Sequence, residues 1–99
     1  MLTFEKVLEI FEDYLALDME LEVYKSRYGY VRVEFEPGRY CIGLVCRTPD
    51  ELFDQLLADY ESYEEVRLTK GRRDVTDADR EQLKRLCQKY LDRREEKMK

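Results

Sequence analysis

The chain has 99 residues, 43% of them hydrophobic and 41% charged, with a formal net charge of −5. One domain with one core over 1–99 is the expectation at this size, and the composition excludes collagen-like, low-complexity and fully disordered chains. No apolar run approaches the length of a membrane span, and residues 1–6 carry no signal-peptide pattern, so a cytoplasmic protein without a membrane partner is expected.

Residues 1–17 predict an amphipathic helix. Phe4, Val7, Leu8, Phe11 and Leu15 recur at helical spacing, Glu5, Glu9, Glu12 and Asp13 fill the other side, and Thr3 suits the N-cap. From Met19 the period drops to two, and 19–47 predicts a β-meander. Met19, Leu21 and Val23 alternate with Glu20, Glu22 and Tyr24; Val31, Val33 and Phe35 alternate with Tyr30, Arg32, Glu34 and Glu36; a third strand begins at Tyr40. Glu36-Pro37-Gly38-Arg39 reads as a two-residue turn. That loop pairs Glu36 with Arg39, Phe35 with Tyr40, Val33 with Ile42 and Val31 with Leu44, which places both apolar sets on one buried face.

Thr48-Pro49-Asp50-Glu51 offers a capping Thr, a Pro at the first helical position and a Glu at the third. A helix over 49–62 follows, burying Leu52, Phe53, Leu56, Leu57 and Tyr60. Val66 and Leu68 alternate with charged neighbours, which allows a short fourth strand over 64–69. Thr76 caps a last helix over 76–95 with the stripe Leu83, Leu86, Cys87, Tyr90 and Leu91, beyond which 96–99 should fray. The fold class is therefore α+β: an N-terminal helix, a three-stranded antiparallel meander and two further helices packed on one sheet face.

The chain has no His, and Ser occurs only at Ser26 and Ser62. A Ser-His-Asp triad, a Cys-His dyad and an HExxH zinc site are thereby excluded within it, and no glycine-rich phosphate loop is present. These gaps argue against an enzyme and against a bound cofactor. Cys41 and Cys46 lie an odd number of residues apart in a strand, hence on opposite faces, and Cys87 sits on an apolar stripe; free thiols are expected rather than a metal site. Glu20, Glu22, Glu34 and Glu36 could offer oxygens to a divalent ion from adjacent strands, although a solvated polar face accounts for them as well.

Charge is unevenly distributed along the chain. Residues 1–66 hold 6 Lys/Arg against 16 Asp/Glu, a net of −10, whereas 67–99 hold 12 against 7, a net of +5. Arg67, Lys70, Arg72 and Arg73 form the densest basic stretch and are the candidate loop for an anionic partner. The helix–three strands–helix order invites comparison with double-stranded RNA-binding domains, but Asp50, Glu51 and Asp54 stand where those domains present bases to phosphate. Tyr24, Tyr30, Arg32, Val45 and Arg47 fall on the sheet face left over by the helices, a mixture with the composition of an interface. The sequence thus predicts a small non-catalytic interaction module that meets a protein partner or a second copy in a homodimer. The alternative is a nucleic-acid-associated regulator working through 70–73 and the C-terminal helix.

Overall fold

The Thr3 hydroxyl accepts a hydrogen bond from the Lys6 amide at 3.2 Å and opens α1 (Phe4–Ile10). It is followed by α2 (Glu12–Leu17), β1 (Leu21–Ser26), β2 (Gly29–Glu36), β3 (Tyr40–Cys46), α3 (Pro49–Thr69) and α4 (Asp77–Met98). The computed structural model describes residues 1–36 and 40–99, Tyr40 and Cys41 by their backbone. The fold is α+β, with the antiparallel sheet in the order β1-β2-β3 and the helices on one of its faces. Its thinnest dimension is 19 Å, about what one sheet and one layer of helices occupy.

The expected single helix over 1–17 is two helices broken at Phe11 (φ −100°, ψ 15°). The break has a cause. Arg93 on α4 donates to the Ile10 carbonyl at 2.9 Å and to Asp13 Oδ1 at 2.9 Å, drawing a helix carbonyl out of its ladder. Phe11 itself is fully buried, stacked on Tyr90 with centroids 4.6 Å apart and tilted against Phe53 at 5.2 Å. Tyr60 meets Tyr90 edge-on at 4.6 Å and Tyr14 at 5.2 Å, so an aromatic chain ties α1, α2, α3 and α4 together.

The helix expected over 49–62 runs on to Thr69, and 64–69 is its last stretch, not a fourth strand. Tyr60, Tyr63, Glu64 and Arg67 keep helical spacing, Tyr63 packs on Tyr14 and Arg67 pairs with Glu64, so side-chain contacts overrule the short alternation of Val66 and Leu68. Lys70 (φ 55°) then turns left-handed and ends the helix. The Thr48 cap is present, but Glu51 accepts from the Arg47 amide, one residue upstream of the expected capping-box donor. On α4 both halves of the box form between Thr76 and Asp79. That helix extends to Met98; Lys97 reaches Glu9 and Arg94 reaches Asp50, so the segment 96–98 is held in place rather than frayed.

The sheet register differs from expectation by one residue. Glu36 pairs with Tyr40, Glu34 with Ile42, Arg32 with Leu44 and Tyr30 with Cys46. The turn expected at 37–38 lies outside the described residues, but the pairing leaves three residues, 37–39, between the strands. On the other side the turn expected over Lys25-Ser26-Arg27-Tyr28-Gly29 is tighter: Ser26 pairs with Gly29 across a two-residue loop. Because side chains alternate, each one-residue difference exchanges the two faces of β2 relative to its neighbours. Leu21, Val23, Tyr30, Arg32, Leu44 and Cys46 therefore share the helix-side face. Val31, Val33 and Phe35, expected in the core, face outward.

Candidate interaction surfaces

The outward sheet face follows from the register. Tyr24 lies opposite Val31, Glu22 opposite Val33, and Val31 opposite Val45. Phe35 continues the row along β2, and Gly43 lies opposite Val33 with the Val31 side chain leaning over it. Tyr24, Phe35 and Val45 are exposed, and Val31 and Val33 half-buried. Among the described side chains of β1–β3 that point this way, only Glu22 is charged.

Two of the five expected interface residues are elsewhere. Tyr30 and Arg32 are each 8% exposed and point into the helical layer. Tyr30 packs on Phe4 with ring centroids 4.6 Å apart, its hydroxyl 3.5 Å from Glu5. Arg32 sends Nε to Asp59 Oδ2 at 2.8 Å and Nη2 to Asp59 Oδ1 and Glu34. The reason for the correction is the register: β2 presents its even-numbered residues to α3, where Asp59 and Gln55 complete a hydrogen-bonded set. Tyr24 and Val45 do lie together on the outer face, and Arg47, just beyond β3, is exposed.

The basic loop is less free than its composition implies. Arg67 is held by Glu64 through Nε at 2.9 Å and Nη2, and Arg73 binds Asp79 and the carbonyls of Leu68 and Asp74. Arg73 in turn draws Asp79 far below the usual carboxylate range, helped by the Thr76 amide. Lys70 and Arg72 are exposed and form no ion pair among the described residues. In the second half of α4 the bases answer the acidic N-terminal helices: Lys89 and Arg93 converge on Asp13 and Lys97 on Glu9, so the uneven charge is partly settled within the molecule.

The four strand carboxylates do not converge. Glu22 points outward while Glu34 lies on the helix-side face, and among the described residues no group of three or more His, Cys, Asp or Glu side chains is placed to hold a metal ion. Cys46 and Cys87 are buried free thiols; burial, then Glu61 and Glu64, pushes Cys87 up to about 11.

One feature escaped the sequence reading. A cleft of about 650 Å³ opens between the end of α2, the start of β1, β2 and the later turns of α3. Leu17, Met19 and Val66 stand at it, with Asp18, Glu20, Glu34 and Asp59 facing Arg32 and Arg67. Tyr14 closes the inner wall, donating to Asp18 at 2.7 Å. Met19, expected beside Leu21 and Val23 on the apolar side of the first strand, instead precedes β1 and is exposed, and α3 continues far enough to bring Val66 beside it. No family model, curated protein or solved structure matches the chain. Among the described residues no helix is long and apolar enough to cross a membrane.

Proposed function

We propose that this protein is a small, non-catalytic protein-interaction module that self-associates through the outer face of its sheet. The supporting observation is that face itself: Tyr24, Val31, Val33, Phe35 and Val45 side by side, with Glu22 the one charged side chain there among the described residues. Three strands about 4.8 Å apart and about 23 Å long project on the order of 300 Å² of surface. Apolar patches of about 300–600 Å² on a monomer are often interfaces. A dimer burying about 800 Å² per partner would need this patch as its centre and polar neighbours such as Glu22 and Arg47 as its rim. Near-neutrality suits a second copy, because two such faces meet with few opposing like charges. The buried free thiols fit a reducing, cytoplasmic setting.

Light scattering at low and at half-molar salt tests the proposal. A dimer that persists at both, and becomes a monomer in the Tyr24→Asp, Val45→Asp double variant with its melting temperature kept, is the expected result. A wild-type monomer at all concentrations sinks it.

The second reading, a nucleic-acid-associated regulator, draws on Lys70 and Arg72 together with Arg80, Lys84 and Arg85, which form no ion pair among the described residues. It requires affinity for a labelled duplex that falls steeply with salt and drops on Arg72→Ala. The engagement of Arg67 and Arg73 by internal carboxylates makes it the weaker of the two.

A further inference from the structure

The cleft beside α3 lies on the helix side of the sheet, away from the outer face, and its chemistry selects a different occupant. Both guanidinium groups at it are already engaged: Arg32 by Asp59 and Glu34, Arg67 by Glu64. An anionic ligand would find no cation without an internal carboxylate. The acids are less occupied. Glu34 gives one oxygen to Arg32 and its side chain stays 50% exposed, and the exposed Glu20 side chain forms no ion pair among the described residues. Four carboxylates against two guanidinium groups leave the cleft with a negative surplus.

Its rim is apolar. Leu17, Met19 and Val66 are 62%, 86% and 61% exposed, and all three stand at this one cleft although α2, the turn before β1 and α3 supply them separately. Large exposed apolar side chains grouped beside acids are what an amphipathic cationic chain covers: its hydrocarbon parts lie on the rim and its charges meet the carboxylates. The volume is within the range of about 300–1,000 Å³ that ligand sites occupy, enough for a few side chains and too little for a whole folded surface.

From charge complementarity and this rim, the geometry points to the cleft as the docking site for a partner-protein segment that carries Arg or Lys next to large apolar residues. Glu20 and Glu34 receive the cations, and Leu17, Met19 and Val66 the apolar side chains. This site is independent of the outer sheet face and stands whether or not the protein self-associates.

The test is fluorescence anisotropy with the full chain and a labelled short peptide that alternates leucine and arginine, against the same peptide with glutamate in place of arginine. Saturable binding of the arginine peptide alone is expected, weakening as salt rises. Met19→Ser combined with Val66→Ser should raise its Kd at least about tenfold, and Glu20→Lys likewise, whereas Val45→Asp should leave it unchanged. All four positions are exposed, so the variants keep the fold, with the thermal midpoint as the check. No binding of the arginine peptide, equal binding of both peptides, or indifference to Met19, Val66 and Glu20 overturns the proposal. If Met19→Ser combined with Val66→Ser instead converts a dimer to a monomer, the cleft belongs to a second copy and the proposal also fails. Loss of the dimer in Tyr24→Asp, Val45→Asp bears only on the sheet face.

Discussion

Arg32 on β2 grips Asp59 on α3 through two parallel hydrogen bonds, with both side chains only 10% exposed. The fork spans the layer on the side where β2 presents its even-numbered residues to the helices. A buried ion pair is weak evidence for stability as a whole, but removing one member strands the other's charge in a poorly solvated site. Arg32→Ala and Asp59→Ala should each lower the free energy of unfolding by about 3 kcal/mol in urea titrations. The paired Arg32→Met, Asp59→Leu change should cost less than either single one. Equal losses in all three would show that the cost is that of losing the pair itself and not of stranding one partner's charge.

Tyr30 and Val45 provide the sharpest contrast between what was expected and what folds. Both were expected on the open face. Tyr30→Asp should now abolish cooperative thermal unfolding or lower the midpoint by several degrees, since it places a carboxylate against Phe4 and near Glu5. Val45→Asp should move the midpoint by little, because its site is exposed. Similar midpoints for the two variants would contradict the register.

Gly29 adopts φ 137°, and a Cβ there would collide with the Cys46 carbonyl of the third strand. Gly29→Ala should therefore cost about 2 kcal/mol or more. Gly71 (φ 66°) has open space around it, and Gly71→Ala should cost only about 1 kcal/mol of backbone strain. Calorimetry on the two variants separates collision from conformation.

Asp13 is the pH-sensitive joint of the helical layer. Partial burial raises its pKa, but hydrogen bonds from Arg93, Lys89 and the Tyr14 amide outweigh it and hold the group at about 2, below the ordinary 3.8. A carboxylate lowered in the folded state contributes stability that is present above its unfolded pKa and lost as pH falls through the folded one. Melting temperatures should decline between about pH 4 and pH 2. Asp13→Asn should remove on the order of 1 kcal/mol at neutral pH, after allowance for solvent screening, and flatten that decline. An unchanged pH profile in the variant would show that Asp13 is not the group responsible.

Cys46 and Cys87 are buried, and burial raises both thiols, with Glu51 and Asp59 adding to the effect at Cys46. Neither should react with iodoacetamide at pH 8 in the native protein, and both should do so in urea. Mass spectrometry with peptide mapping reads the difference site by site; rapid native labelling of either would mean that its surroundings open.

Much of the architecture was legible. The three capping threonines, Thr3, Thr48 and Thr76, mark where α1, α3 and α4 begin, and the change of period at Met19 announces the meander, whose first strand begins two residues later at Leu21. The buried stripes named for those helices largely hold, with Val7, Leu52, Phe53, Leu56, Leu83 and Tyr90 in the interior. Element type is local, set by spacing and caps that lie within a few residues. The end of α3 was not legible, because Tyr63 and Arg67 act through Tyr14 and Glu64, contacts that compete with a two-residue alternation.

The candidate surfaces divide in the same way. By itself the sequence determined the fold class, the starts of α1, α3 and α4, the lack of histidine and the acidic-to-basic change along the chain. It could not determine which side of β2 faces inward, since its two faces are chemically ambiguous: three apolar residues on one, and a Tyr and an Arg among glutamates on the other. Hydrophobicity favours burying Val31, Val33 and Phe35. The tertiary structure decided otherwise, because loops of two and three residues set the register, and Arg32 and Tyr30 found Asp59 and Phe4 across the layer. A period of two turns a single residue of loop length into a complete exchange of faces.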